Sequence, residues 1–222
     1  MPETVSLLDK LRLEIYRGSL APGYRLVETE IAARYDTSRG AVRQALVLLE
    51  NEGLIIRPRN RSALVRPVTH AEAVEITEVR AVVEGLCAAK AAVRATEADH
   101  AELRALTREM REAVSRGDML ADSRISDEMH ARIRHIAAQQ TADTILNRLR
   151  YQDVRYQFHV SLLPGRFAEG AGEHYEIVEA VLAGDAAAAE QLTRDHFRSV
   201  IAALQRLEKL KTPLLGMAPP AR

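Results

Sequence analysis

The segment from Tyr35 to Val65 constrains the fold of this chain more than any other stretch. It contains a short turn, a helical pattern that is basic at its start, a glycine, and an arginine-rich pair of apolar runs. Thr37 and Ser38 can cap the helix, because a hydroxyl oxygen accepts from a backbone N–H that the helix leaves unpaired. The apolar residues that follow recur every three or four positions and predict one buried stripe: Val42, Ala45, Leu46, Leu48 and Leu49.

Three polar side chains near the start of this helix are suited to reading DNA. Arg39 and Arg43 lie four residues apart and share a face, with Gln44 beside them. In a helix-turn-helix, the first residues of the second helix enter the major groove. There an arginine can donate two hydrogen bonds to guanine, and a glutamine can pair with adenine. The alternative is an ordinary solvated helix face, on which arginine is common.

The residues after Gly53 shift the balance towards DNA. The runs 54–56 and 63–65 predict a hairpin, and the loop between them carries Arg57, Arg59 and Arg61. A basic loop beside a basic helix start suits contact with the DNA backbone or minor groove. Two further helical patterns precede the segment, so residues 1–66 are predicted to form a winged helix-turn-helix domain that binds double-stranded DNA.

The rest of the chain has a helical pattern almost throughout. Residues 67–69 are predicted to be a linker, and 70–211 an all-α antiparallel bundle. The helices are expected at 70–95, 97–116, 119–139, 142–161, 168–183 and 186–210, with breaks at glycine, proline and polar residues between them. Residues 212–222 are proline-rich and are predicted to be a loose tail. The expected fold class is mainly α.

Charge and hydropathy bear on the compartment and the partners. Residues 1–66 hold 11 Lys and Arg against 8 Asp and Glu, so their charge of +3 is balanced by −3 in the remainder. This mild excess gives only a weak electrostatic attraction to DNA. Affinity would therefore depend on individual arginines at specific positions and on two copies of the domain. No apolar run approaches the roughly 20 residues of a membrane span. There is no secretory signal pattern at the start, and a cytoplasmic location is expected.

Three histidines of the predicted bundle fall on apolar helix faces. His130, His174 and His196 each align with aliphatic residues three or four positions away. Polar rings on inward faces need hydrogen-bonding partners. A shared metal ion would satisfy all three, and zinc accepts imidazole nitrogens in a four-coordinate site. The alternative for each is a core histidine bonded to a neighbouring side chain.

The first domain resembles the DNA-binding domain of GntR-type bacterial regulators over residues 5–66. The resemblance rests on Pro-Gly-x-Arg-Leu at 22–26, Glu28, Ser38-Arg39, Val42-Arg43 and Glu52-Gly53-Leu54. It implies that Arg25, Arg39 and Arg43 contact DNA and that the wing tip enters the minor groove. Gly40-Ala41 stands where the family often has Thr-Pro, and Ser62 where it often has glycine.

Residues 70–210 resemble the FCD effector domain of the FadR branch of that family. The matching features are Val79-Arg80 with Glu84, Met129-His130, Glu173-His174, Gly184-Asp185 and Asp195-His196-Phe197. Many members bind a divalent metal through three histidines and an Asp or Asn four residues before the first. Here that position is Ser126. Three imidazoles with water could hold the ion, the ion could bind weakly, or the site could be metal-free.

The resemblance also implies a small carboxylic acid as effector. Arg80 matches a family arginine near the pocket, and Ser126 is expected to face it. Arg150 lies on the helix expected to cross the pocket, with a surface salt bridge as its alternative role. The sequence is thus interpreted as a homodimeric regulator, expected to be a repressor, on a near-palindromic operator. The alternatives are a metal-dependent hydrolase and a sensor for which the metal itself is the signal.

Overall fold

The computed structural model describes residues 6–16, 18–59, 61–161 and 163–214, and for residues 16, 150–159, 161 and 211–214 it describes the backbone alone. The chain forms two compact units. The first comprises residues 1–69 with 147–155, and the second comprises 70–146 with 156–222.

The first unit combines three helices with a small antiparallel sheet. Its elements are α1 Leu7–Tyr16, β1 Arg25–Leu26, α2 Glu28–Arg34, α3 Arg39–Asn51, β2 Ile55–Ile56 and β3 Ala63–Val65. The strand order is β1-β3-β2, with Ile55 opposite Val65 and Leu26 opposite Ala63. The predicted hairpin is therefore the β2–β3 pair. Strand β1 was not predicted, because two residues are too few to show an alternating pattern.

One apolar core supports this unit. Leu11 and Ile15 of α1 pack with the sheet and with Val42, Leu46 and Leu49 of α3. Leu48, which was placed in the buried stripe, is 40% exposed. It lies about 100° around the helix from Leu49, outside the arc that the other apolar residues share. Val5 of the predicted α1 stripe lies outside the described residues.

The second unit is all helical in its described part. Its helices are α4 His70–Arg94, α5 Glu97–Ser115, α6 Met119–Ala137, α8 Arg166–Leu182 and α9 Ala186–Leu214. It also includes the two ends of α7 Gln140–Ser161, whose middle residues 147–155 belong to the first unit. Each predicted helix is present, and the ends agree to within two residues except that of α9, which continues four residues beyond its predicted end into the segment expected to be a loose tail. The break at 96 is a capping box, in which Thr96 and Asp99 exchange hydrogen bonds between side chain and backbone. The mainly α fold class with an N-terminal winged helix-turn-helix is confirmed.

The core of the second unit positions the three histidines. Helices α4, α5, α6, α8 and α9 contribute small and aliphatic side chains to one cluster, among them Ala91, Leu103, Met129 and Ile177. His130 follows Met129 on α6, and His174 lies one turn before Ile177 on α8. Both histidines are therefore on faces that the core buries. No helix in the described ranges is long and apolar enough to cross a bilayer.

Candidate functional site

The start of α3 presents basic side chains to solvent. Ser38 caps the helix, and its hydroxyl accepts a hydrogen bond from the Ala41 N–H at 3.1 Å. Immediately after the cap, the side chains of Arg39 and Arg43 are 63% and 59% exposed. Gln44 is also exposed. A capped helix start with exposed arginines can receive an anion, because the helix dipole adds to their positive charge.

Glu28 at the start of α2 holds both arginines in place. Arg43 donates to its carboxylate from Nη2 at 2.9 Å and from Nε at 3.1 Å, and Arg39 Nη2 lies 3.8 Å away. The hydrogen bond from Arg43 lowers the pKa of Glu28, and the same bond raises the pKa of Arg43. Exposed pairs of this kind contribute about 0–1 kcal/mol. A nucleic-acid phosphate or base could therefore displace Glu28 at little cost.

The wing adds further positive charge beside α3. Arg57 donates to the Arg43 carbonyl oxygen at 3.4 Å and lies 3.2 Å from a Glu50 carboxylate oxygen. Arg59 and Arg61 are exposed on the loop, which turns through a hydrogen bond from the Arg61 N–H to the Pro58 carbonyl at 3.1 Å.

A groove of about 310 Å³ runs between the wing and α3 and is lined by Glu28, Arg39, Arg57, Arg61 and Ser62. The sequence had not singled out Glu28 as a partner of the arginines, because the ion pair joins positions 15 residues apart. The other two predicted DNA contacts lie nearby in the unit. Arg25 is exposed on β1, and the Thr37 N–H donates to the Ala32 carbonyl.

In the second unit, His130 of α6, His174 of α8 and His196 of α9 form a buried cluster. One ligating atom from each lies within 4.8 Å of the others. The ring centroids of His174 and His196 are 4.5 Å apart, and those of His130 and His174 are 5.2 Å apart. The side chains are more than nine-tenths buried. The sequence-based grouping of these three residues thus corresponds to one site in space.

A carboxylate lies on the Nδ1 side of two of the histidine rings, and it is within hydrogen-bonding distance at His196. His196 Nδ1 lies 2.7 Å from a Glu173 carboxylate oxygen, and Arg166 and Ser199 both donate to the same carboxylate. On the other side, His130 Nδ1 lies 3.8 Å from Glu84. Carboxylates that bind the second nitrogen of a metal-ligating histidine are a common feature of metal sites. The arrangement leaves Nε2 of His130 and His196 available.

Glu84 itself lies between two buried arginines. Its Oε1 is 3.5 Å from Arg80 and 3.3 Å from Arg134, and all three side chains are at most 5% exposed. The Arg80 guanidinium also lies over the Phe197 ring, 4.9 Å from its centroid. Arg134 also lies 3.4 Å from an Asp143 carboxylate oxygen, so the two arginines and two carboxylates balance in charge beside the histidine cluster.

The third ring lacks such a carboxylate. His174 Nδ1 is 3.3 Å from the Ser126 hydroxyl oxygen, and its Nε2 is buried without a hydrogen-bonding partner. An unpartnered buried nitrogen costs free energy unless something binds it. Together with the other two imidazoles, this nitrogen fits a divalent cation that prefers nitrogen ligands.

The protonation states favour metal binding. Burial lowers the pKa of His130 and His174 well below the ordinary value, and neighbouring positive groups lower it further. Burial also lowers the pKa of His196, although Glu173 opposes it. Burial would raise the pKa of Glu173, but its hydrogen bonds with His196 and Ser199 outweigh that effect and lower it. The imidazoles are therefore neutral at neutral pH, which is the form that binds metals.

A cavity of about 130 Å³ opens in front of the cluster. Its lining includes the three histidines and Arg80, Asp122, Ser126, Asp127, Arg166, Phe167 and Phe197. Arg80 and Ser126 were both expected at the pocket, and both line it. The side chain of Arg150 lies outside the described residues, so its expected role stays a prediction.

Two cavity residues were missed by sequence reasoning as ligand-binding groups. Asp122 is 8% exposed, its Oδ1 has no hydrogen-bonding partner, and burial raises its pKa to about 6. Arg166 is 5% exposed at the start of α8. In the sequence, each is a charged residue on an otherwise apolar helix face, which indicates a buried charge. Helical spacing does not show which charged residues of different helices lie close together.

The comparisons with known families cover both units. The pattern of the bacterial regulatory proteins of the gntR family matches residues 4–65, and that of the FCD domain matches residues 75–199. The HTH-type transcriptional repressor RspR of Escherichia coli K12 is 29% identical over 202 residues, which are 90% of this chain and 87% of that protein.

Solved structures agree on the architecture. Escherichia coli McbR/YncC superposes with a TM-score of 0.78 at 21% identity, over 91% of this chain and 96% of that one. A transcriptional regulator, GntR, from Rhodococcus sp. RHA1 superposes with a TM-score of 0.71 at 26% identity, over 90% and 96% of the two chains.

Proposed function

This chain belongs to the GntR family of bacterial transcriptional regulators and carries an FCD domain, and on that premise we propose how its two units act. The first units of a homodimer bind a near-palindromic operator. The second units bind a small carboxylic acid together with a divalent metal ion, and this ligand controls operator binding. The related RspR is described as a repressor, and repression is the proposed mode here.

The groove between α3 and the wing carries the proposal for DNA. Arg39, Arg43 and Gln44 enter the major groove from the start of α3. Arg59 and Arg61 contact the minor groove or the backbone from the wing. Arg25 and the turn at Thr37 and Ser38 are the further contacts, positioned at the edge of the same unit. The exposure of these side chains supports the assignment, since they need little desolvation to meet a duplex.

The cluster of three buried neutral imidazoles is the observation that carries the ligand half of the proposal. His130, His174 and His196 hold the ion, and nitrogen ligands favour zinc. A bound ion supplies positive charge and open coordination positions for a carboxylate oxygen. Arg80 and Ser126 line the cavity beside it and contact the effector. Arg150 is proposed as a further contact on the strength of the family resemblance alone.

A homodimer is supported by an apolar stripe on α4. Val79, Val82, Leu86 and Val93 are all at least 41% exposed, and they fall within an arc of about 60° on the helix. Such a stripe commonly marks an interface, and a two-fold axis would let it meet its own copy. In light scattering, Val82→Asp should yield monomers, whereas Leu120→Asp on α6 should leave the dimer intact. A dimeric Val82→Asp protein would contradict this interface.

The hydrolase alternative has weaker support. A hydrolytic zinc site needs a general base beside the ion. Of the carboxylates that face the imidazole nitrogens, Glu84 is held by Arg80 and Arg134. Glu173 is held by Arg166. Asp122, the unpaired carboxylate of the cavity, lies more than two helical turns from His130 along α6. The metal-sensor alternative differs in its prediction, since metal alone would then change operator affinity with no acid present.

Metal content and ligand response test the proposal together. Protein purified without chelator should hold one ion per protomer, and organic acids should raise its melting temperature only when metal is bound. His174→Ala should lose the ion and the acid response but still bind operator. His135→Ala, at an exposed position on α6, should keep the ion and the acid response. Wild-type protein that holds no stoichiometric metal and takes none up on titration would overturn the metal site.

A further inference from the structure

The cavity contains two buried charged groups with opposite signs that each have an unsatisfied atom. Asp122 Oδ1 on α6 and Arg166 Nη1 on α8 are both buried and have no hydrogen-bonding partner. Both residues line the same cavity as the three histidines. Buried polar atoms in folded proteins are almost always paired, so unpaired ones in a cavity point to a ligand.

These two groups do not satisfy each other. Arg166 uses Nη2 to donate to Glu173 at 2.9 Å, and its Nη1 lies 3.9 Å from a Glu169 carboxylate oxygen, beyond hydrogen-bonding distance. No described arginine, lysine or histidine lies within ion-pair distance of Asp122. Among the described groups that line the cavity are therefore an unpaired guanidinium nitrogen and an unpaired carboxylate oxygen that no ion pair joins.

Gly170 leaves space beside the Arg166 nitrogen that has no partner. It lies one turn after Arg166 on α8, and a Cβ atom at position 170 would lie 3.2 Å from Nη1. A side chain at this position would therefore press against the nitrogen that has no partner. Arg166 and Gly170 both line the cavity, so the space that the missing side chain leaves lies between this nitrogen and the cavity wall.

We infer that the effector is a small carboxylic acid that also carries a hydrogen-bond donor, either a hydroxyl or an ammonium group. Arg166 Nη1 donates to the carboxylate, and Asp122 accepts from the donor group. A plain carboxylic acid leaves Asp122 unpaired, and a second carboxylate near Asp122 is repelled by it. The inference rests on the proposed function, because it assigns the chemistry of the ligand that the regulator binds.

The separation along α6 indicates how the ligand extends. Asp122 and His130 are eight residues apart, which places their Cα atoms about 12 Å apart along the helix axis. Both side chains reach into one cavity, so the acidic end and the donor end of the ligand are distinct. The acid end lies towards the imidazoles and Arg166, and the donor end lies towards Asp122.

Matched acids test this inference on the full-length, zinc-loaded protein. Binding is measured by calorimetry for propionate, lactate and alanine, and for succinate, malate and aspartate. In at least one series, a donor-bearing acid should bind about tenfold more tightly than the acid without a donor, as expected for one charge-assisted hydrogen bond. Preference for the hydroxy acid or the amino acid distinguishes the two donors.

Variants separate the two contacts. Asp122→Ala should remove the preference for donor-bearing acids, whereas Glu128→Gln, an exposed carboxylate on the same helix, should leave it unchanged. Asp122→Asn should weaken an amino acid by about tenfold but a hydroxy acid by less, because an amide oxygen still accepts from a hydroxyl. Gly170→Ala should weaken every acid equally, without change in metal content.

The outcomes distinguish this inference from the function on which it rests. If no acid of either series binds, the proposed effector function fails and the inference fails with it. If acids bind but propionate and succinate match their donor-bearing partners, the inference alone is wrong. An unchanged preference in Asp122→Ala, in protein that retains its zinc, would also overturn it.

Discussion

The two units solve opposite electrostatic problems. In the first, Arg39 and Arg43 are exposed and paired to Glu28, so their charges remain hydrated until another molecule arrives. In the second, Glu84, Arg80 and Arg134 are buried and compensate one another within the protein. Exposed ion pairs contribute little to the stability of the protein, whereas removing one member of a buried triad strongly destabilises it. The arginines proposed to bind DNA thus stay hydrated, whereas the charged side chains beside the cavity are already held in position by ion pairs.

The largest expected effect is at Glu84. Glu84→Ala leaves two buried guanidinium groups without their shared carboxylate and should destabilise the protein by about 3–5 kcal/mol. Urea unfolding followed by circular dichroism measures the change. Glu190→Ala, which breaks a partly exposed pair with Arg194, is the matched control and should change stability by less than about 1 kcal/mol. Equal effects of the two variants would contradict the contrast between buried and hydrated charge.

Asp122 tests the same contrast through pH. Its folded pKa of about 6 lies above the unfolded value of about 4. The contribution of Asp122 to the free energy of unfolding is therefore most favourable below pH 4 and least favourable above pH 6, because ionisation of the carboxyl group in the cavity is costly. In metal-free protein, Asp122→Asn should thus stabilise by up to roughly 3 kcal/mol at pH 8 and by much less at pH 4.

His130, His174 and His196 line the same cavity with lowered pKa values, so the contribution of Asp122 is the difference between Asp122→Asn and wild type at each pH. Burial raises the pKa of Tyr175 from its ordinary value, so the phenol titrates above the window. Glu128→Gln on the exposed face of α6 is the control. A stabilisation by Asp122→Asn that is the same at pH 4 and pH 8 would show that the unpaired charge is not the cause.

In the first unit the expected effect appears in binding and not in stability. Arg43→Ala should weaken operator binding by about 1–3 kcal/mol and relax base preference at one position. Its free energy of unfolding should stay within about 1 kcal/mol of wild type, because the side chain is exposed. Filter binding at fixed salt measures the operator affinity. Arg116→Ala in the second unit is the control. Unchanged operator affinity in Arg43→Ala would count against α3 as the recognition helix.

The smallest effect is expected at Glu28. Glu28→Gln releases Arg43 and Arg39 from a carboxylate that a DNA phosphate would otherwise displace. Stability should change by less than about 1 kcal/mol, and affinity for non-specific DNA should rise. A salt titration of binding measures this. Lower affinity for both specific and non-specific DNA would show that Glu28 is needed to position the arginines.

Sequence reasoning succeeded where the physical signal is local. The helices of the second unit follow apolar periodicity, and their ends follow breaks such as Gly117 and Gly184, both with positive φ. The grouping of His130, His174 and His196 followed from inward faces together with the family resemblance. The error at Leu48 came from counting an apolar residue whose angle around α3 puts it outside the buried arc.

The unpredicted features depend on how helices pack. Glu84 and Arg134 lie 50 residues apart, and Glu173 and His196 lie 23 apart. Which charges meet is decided by the rotation of each helix about its axis, and a periodic pattern fixes that rotation only to within a wide arc. Asp122 and Arg166 were missed as ligand-binding groups for the same reason.

Arg166 and Asp122 differ in how freely they could change over generations. Arg166 joins Glu173 and, through it, His196, so replacing it disturbs the histidine cluster along with the cavity. The side chain of Asp122 makes no hydrogen bond or ion pair with any described residue, so a substitution there breaks nothing already formed. A lineage that acquired a new signal molecule would therefore be expected to vary position 122 first and to retain the arginine.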